Sequence, residues 1–116
     1  MWIISPKALT RFAQAHPEAK KALDNWRALA ERARWANWAD LKQTFGSADR
    51  VGGCVVFDVG NNQYRLIGRV FFGNHKLYIL KVMTRAEYDR KDPGNKRRSR
   101  WETECRCHEP QPKGES

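Results

Sequence analysis

A chain of 116 residues supports one domain with a small core of its own, and 22 Lys and Arg against 13 Asp and Glu leave a formal charge of +9. No apolar run nears the roughly 18 residues that a bilayer-spanning helix needs, and the opening MWII is too short for a secretory signal. The expectation is a cytoplasmic protein whose charge draws nucleic acid, an acidic protein segment or anionic lipid.

Residues 1–4 predict a short buried strand. Ser5 and Pro6 offer an N-cap and a first-turn proline, and Ala8, Leu9, Phe12 and Ala13 recur on one face of a helix reaching Gln14 or Ala15. His16-Pro17 breaks that helix and restarts it. Ala19, Leu23, Trp26, Leu29, Ala30 and Ala33 then keep the i, i+3, i+4, i+7 spacing, with Lys20, Lys21, Asp24, Arg27, Glu31 and Arg34 on the other faces. Residues 35–45 (WANWADLKQTF) read as partly helical. Asn37 or Asp40 serves as cap, Trp38, Leu41 and Phe45 point inward, and Gly46-Ser47 ends the segment.

The period then changes. Stretches 54–59, 63–72 and 77–83 are rich in β-branched and aromatic residues, and Gly60-Asn61-Asn62 and Gly73-Asn74-His75 separate them as hairpin turns. The order is β-α-α-β-β-β, an α+β domain with two N-terminal helices on one face of a small antiparallel-rich sheet. Thr84 and Glu87 then form a capping box that opens a short helical turn. From Arg90 the chain is polar, through RKDPGNKRRSR to PQPKGES, and predicts a weakly ordered tail.

Strand alternation sorts the charges. Tyr64, Leu66 and Val70 share one side of the middle strand, and Arg65, Ile67 and Arg69 the other. In the next strand Tyr78, Leu80 and Val82 oppose Ile79, Lys81 and Met83. With the apolar sets against the helices, Arg65, Arg69 and Lys81 project from the uncovered face, where Arg85 and Tyr88 reach the rim. Cations beside an aromatic ring suit single-stranded RNA, whose bases stack while phosphates meet guanidinium groups. The plain reading of the same residues is the wet side of an antiparallel sheet.

Three cysteines, an odd number, argue against a disulfide framework. Cys54 reads as a small core residue. Cys105, Cys107 and His108 form a C-x-C-H cluster, but no second Cys pair completes a structural zinc site, so neither metal nor cofactor is expected.

Two signatures carry a family resemblance: N-x-Y-R-L-I at 62–67, and M-T-x-x-E-Y-D at 83–89. Together with W-x-x-L-K-x-x-F at 38–45 and the two-helix start, most of residues 1–89 resembles the HigB toxins of bacterial toxin–antitoxin pairs, within the RelE-like group. The resemblance implies a RelE-like toxin domain over 1–90, followed by a basic tail over 91–116. It implies metal-independent cleavage of mRNA, often on the ribosome, and a neutralising HigA-like helix-turn-helix antitoxin. It identifies Arg65 with the arginine at the scissile phosphate, and Tyr88 and Asp89 with the end of the family's T-H-x-E-Y-D.

Where that ending has His, this chain has Arg85, whose guanidinium binds phosphate charge but does not exchange protons at neutral pH. The candidate catalytic set is therefore Arg65, Arg85, Tyr88 and Asp89, and the candidate RNA contacts are Lys42, Arg50, Asn62, Arg69 and Lys81. The Arg/Lys run from Arg90 to Arg100 extends the cationic surface toward ribosomal RNA or an acidic antitoxin segment. His16 and His75 read as surface residues. The alternative is a RelE-like protein that binds RNA or a partner without cutting.

Overall fold

Period-2 stretches build one sheet, and period-3.6 stretches cover one side of it. The computed structural model describes residues 1–109. Strand β1 (Trp2–Ile4) leads into helix α1 (Lys7–Ala15), a 3-10 turn at Pro17–Ala19, α2 (Lys20–Arg32) and α3 (Trp38–Thr44). Strands β2 (Asp49–Val51), β3 (Cys54–Val59), β4 (Tyr64–Phe71) and β5 (Lys76–Thr84) follow as an antiparallel meander. The chain then makes the short helix α4 (Arg85–Tyr88), strands β6 (Lys91–Asp92) and β7 (Asn95–Ser99), and helix α5 (Arg100–Glu104). The main sheet runs β1-β5-β4-β3-β2, with β1 parallel to β5, and β6 pairs with β7 as a separate hairpin. This is the α+β arrangement expected, with β2 added at the edge through the tight Gly52-Gly53 turn.

One face of the sheet carries the main core. Leu9 and Phe12 of α1, Leu23, Trp26 and Ala30 of α2, and Leu41 of α3 bury against Val55, Phe57, Leu66, Leu77 and Val82. Each large side chain so removed from water contributes roughly 1.5–3 kcal/mol. Trp26 meets Phe57 edge-on at 5.3 Å. Asn37, not Asp40, caps α3, its side chain accepting from the Asp40 N–H. Two local expectations fail at the helices. Ser5 adopts a left-handed backbone (φ 59°) and makes no cap, leaving Pro6 at the start of α1. Leu29 turns away from the core and is 48% exposed.

A bulge reorders β5. Pairing passes from Ile67↔Lys81 to Gly68↔Ile79, so Leu80 has no opposite residue. Strict alternation groups Tyr78, Leu80 and Val82; in the structure Ile79 joins Leu77 and Val82 in the helix-side core, and Leu80 is exposed. A Cβ on Gly68 would lie 2.8 Å from the Tyr78 carbonyl oxygen, so the bulge closes only over a residue without a side chain. Past the bulge Lys81 and Met83 keep the face expected of them.

The largest departure is the C-terminal segment. Instead of a loose tail, residues 91–109 form the β6–β7 hairpin, α5 and a turn. Trp101, Cys105 and Cys107 pack against Cys54, Val56, Ile67 and Met83, making a second core on the sheet's other face. Cys54 and Cys107 form a disulfide and Cys105 is free, so Cys54 is a cross-linked residue as well as a buried one. Residues 110–116, the end of the expected tail, lie outside the described residues.

Candidate active site

The strand register brings the expected cations to one face. Arg65 pairs with Met83, Ile67 with Lys81 and Arg69 with Tyr78, so Arg65, Arg69 and Lys81 all lie on the side away from α1 and α2. That face is not open, because α5 and the turn after it lie across it.

Arg65 is the buried charge of the group, 8% exposed. Its Nε sits 3.1 Å from Asp58 Oδ1, directly across the β3–β4 ladder. Its Nη1 donates to the carbonyls of Asn62 (3.1 Å) and Tyr64 (3.2 Å), and its Nη2 donates to the Asn62 side-chain oxygen. Asn62 accepts twice because its left-handed backbone (φ 73°), tolerated by Asn, turns both oxygens toward the guanidinium. A guanidinium so fixed keeps a defined orientation, as stabilisation of developing phosphate charge requires.

The stretch after β5 folds as its capping box dictates: Thr84 Oγ1 accepts from the Glu87 N–H, and Glu87 Oε1 accepts from the Thr84 N–H. The capped turn directs Tyr88 back onto the sheet. The Arg65 guanidinium lies 5.2 Å from its ring centroid, and Trp101 stacks on the same ring, centroids 5.2 Å apart and planes 15° from parallel. Burial pushes the Tyr88 phenol above its ordinary value, and Arg65 only partly opposes this. Tyr88 therefore keeps its proton at neutral pH.

Arg69 and Lys81 meet protein oxygens. Arg69 Nη2 donates to the Arg106 carbonyl at 2.6 Å and reaches the Cys105 carbonyl at 3.5 Å, and Lys81 pairs with the Glu104 carboxylate, which also holds Arg100 at 2.9 Å. A cleft of about 220 Å³ remains between β5 and α5, lined by Lys81, Arg90, Arg100, Glu87 and Glu104.

The other expected residues make none of these contacts. Arg85 and Asp89 are exposed at the two ends of α4, with no side-chain hydrogen bond or ion pair among the described residues. Lys42 gives its ammonium to the carbonyls of Gly46 (2.6 Å) and Ala48 (2.9 Å) beyond α3. Arg50 lies 4.5 Å over the Trp38 ring. The C-x-C-H residues diverge: Cys107 is cross-linked, and His108 Nε2 lies 2.8 Å from Glu102 Oε1. Asp58 and Trp101 were not anticipated. Asp58 is legible as the one acid in an apolar strand, and Trp101 as the aromatic inside a second capping box, Ser99-x-x-Glu102.

Residues 19–91 match the family model for HigB toxin, the RelE-like toxic component of a toxin–antitoxin system. The mRNA interferase toxin HigB of Escherichia coli K12 is 35% identical over 92 residues, covering 77% of this chain and 88% of its own length. The mRNA interferases HigB of Escherichia coli O157:H7 and Shigella flexneri match to the same extent. With the family model matched over more than half of the chain, and relatives at this identity matched over most of their length, this protein belongs to the HigB toxin family, within the RelE-like group.

Proposed function

We propose that this chain is the toxin of a toxin–antitoxin pair and cleaves messenger RNA, the activity that the names of its Escherichia coli and Shigella relatives give to those proteins. The observation that carries the reading is Arg65, held by Asp58 and Asn62 under the Tyr88 ring, with Arg69 and Lys81 on the same sheet face. RNA supplies the nucleophile. The 2′-oxygen forms a bond to the adjacent phosphorus as the bond to the 5′-oxygen breaks, leaving a 2′,3′-cyclic phosphate and a 5′-hydroxyl. Arg65 and Arg85 stabilise the charge gathering on the phosphorane. Tyr88, kept as a phenol by burial, donates to the departing 5′-oxygen. Asp89 accepts the 2′-hydroxyl proton, and no metal enters the scheme.

Backbone phosphates beyond the scissile one are gripped by Arg50, Arg69 and Lys81, and by the exposed Lys96, Arg97 and Arg98 of β7. Of the other contacts expected from the sequence, Asn62 acts chiefly through Arg65, and Lys42 is held instead by the Gly46 and Ala48 carbonyls. The message is cut on the ribosome in the cytoplasm, and a HigA-like helix-turn-helix antitoxin neutralises the chain.

Induced expression should arrest growth, with relief by the neighbouring antitoxin gene. Primer extension on mRNA from those cells should reveal codon-phased ends that vanish with Arg65→Ala and Tyr88→Phe. Arg85, standing where the family has a proton-exchanging His, favours a second reading, a binder without activity. RNA bound by the natural chain with no new ends would establish that reading instead.

A further inference from the structure

The face assigned above to RNA is occupied by the chain itself. The occupying segment, α5 and the turn after it, lies beyond residue 91, where the match to the family model ends. It meets three of the RNA-directed side chains, Tyr88, Arg69 and Lys81, with groups of the kind RNA would present. The Trp101 indole stacks on Tyr88 as a nucleobase would. The Cys105 and Arg106 carbonyls take Arg69, and the Glu104 carboxylate takes Lys81, as phosphate oxygens would.

The receiving surface is shaped for this segment. A Cβ on Gly52 would fall 2.2 Å from the Cys107 carbonyl oxygen, and the Gly53 N–H donates to that same oxygen at 2.6 Å. Cys54, two residues on, is bonded to Cys107, closing a loop of 53 residues between an inner strand and the C-terminal turn.

We propose that residues 100–108 are an autoinhibitory cap on the RNA site, and that the Cys54–Cys107 disulfide is a latch released by a cellular dithiol reductant. The proposal rests on the reading of that face as the RNA site. In the release step one thiolate of the reductant attacks a latch sulfur and forms a mixed disulfide. Its second thiol then displaces the protein sulfur. The Cys54–Cys107 bond breaks, two protein thiols form, and the reductant leaves as a disulfide, with two electrons and two protons transferred.

Two details fit a latch better than a permanent staple. Arg69 Nη1 and Trp101 Nε1 are buried with no hydrogen-bond partner among the described residues, and unsatisfied donors weigh against the closed state. Those two donors offset part of what the non-covalent contacts contribute, and the covalent link adds to the closed state. The third cysteine does not interfere. Cys105 is buried, which pushes its thiol up to about 11, so it stays protonated and does not attack the neighbouring disulfide. Cys54 and Cys107 are also buried, so exchange waits on fraying of the C-terminal turn and release is slow.

The test uses the full chain, air-oxidised or reduced with dithiothreitol, on preassembled ribosome–mRNA complexes. Peptide mass under non-reducing conditions reports the Cys54–Cys107 link, and iodoacetamide labelling of Cys105 reports whether the cap is open. The oxidised chain should cut on the order of ten- to a hundred-fold more slowly than the reduced chain, as for a site whose competent form is scarce. Cys105 should label only after reduction. A Cys54→Ser plus Cys107→Ser variant should cut at the reduced rate whatever the redox state, and Trp101→Ala should speed cutting by the oxidised chain.

A chain that forms no Cys54–Cys107 link in air overturns the cap, as do equal cutting rates and equal labelling in verified oxidised and reduced chains. Either result leaves the nuclease reading standing. Cys105 labelling and single-stranded RNA binding that appear only on reduction, with no cutting, uphold the cap and overturn the nuclease instead.

Discussion

The indole of Trp101 lies flat on the ring of Tyr88, joining the tail's main apolar side chain to the aromatic member of the candidate catalytic set. Tyr88 owes its raised pKa first to burial, and Trp101 is part of what buries it. Trp101→Ala should lower the Tyr88 pKa toward the ordinary value near 10, read as an ultraviolet titration at alkaline pH. The variant should also lose about 3 kcal/mol in denaturant unfolding, at the low end for a buried Trp because the segment can detach from the sheet. An unmoved phenol titration would refute the coupling.

Gly52 holds φ 57° in the β2–β3 turn with the tail pressed against it. Gly52→Ala combines a left-handed backbone penalty of about 1 kcal/mol with a contact that only movement of the Cys107 backbone relieves. The Cys54–Cys107 link should form in reduced yield, while the sheet keeps its far-UV circular dichroism. Full cross-linking in the variant would contradict the close approach.

Asp58 and Arg65 are a half-buried pair, their side chains 29% and 10% exposed. Asp58→Ala should destabilise the chain by about 2 kcal/mol, less than for a fully buried pair because water reaches Asp58. The melting temperature should fall by roughly 10 °C. Freed from its carboxylate, Arg65 offers one more charge to RNA, so the salt dependence of binding should steepen by about one phosphate. A shallower slope would mean that Asp58 positions Arg65 for binding.

Lys42 and the β7 arginines should behave oppositely. Lys42 closes α3 through two carbonyls, so Lys42→Ala should reduce stability by about 1 kcal/mol with little change in the salt slope. Arg97 and Arg98 are exposed, so replacing both with Ala should lower the slope by about two phosphates and leave stability unchanged. Filter binding across a salt series separates the two cases.

Acid should loosen the tail before the sheet. The hydrogen bond from Lys81 holds the Glu104 carboxyl below its usual range, and the one from Thr103 does the same for Asp92. For Glu102 burial acts upward, but hydrogen bonds from His108 and Ser99 leave the net shift downward. Carboxylates depressed by folding stabilise it fully above their unfolded values near 4 and lose that contribution as pH falls through the lower folded ones. In a chain carrying Cys54→Ser and Cys107→Ser, tryptophan emission should change at a higher pH than far-UV circular dichroism. Coincident transitions would mean one cooperative unit.

Residues 1–89 were largely legible because their apolar spacing is regular. β3 was read with its ends intact, and β4, β5, α1 and the Thr84–Glu87 box to within a residue or two, since each signal is local. The bulge at Leu80 was not, because no residue type announces an unpaired position. The tail was misread for a compositional reason: Lys and Arg dominate it, and one Trp and two Cys do not form a period. Their partners, Cys54, Val56, Ile67 and Met83, lie far back in the chain, and cysteine connectivity does not follow from spacing. Arg65 on that face was legible from strand alternation, and Tyr88 at its rim from the capped turn at the strand end; what covers them was not.

β4 is buried at every residue from Tyr64 to Gly68, without the in–out rhythm of a half-wet strand, because helices lie on one flank and α5 on the other. Backbone amides at its centre therefore have no short route to deuterated water from either side. Proton exchange there will run at the pace of whole-molecule unfolding, whereas β7 and the C-terminal turn trade protons through small local excursions. Mass spectra taken over time should resolve two populations of amides in this chain, divided near residue 90.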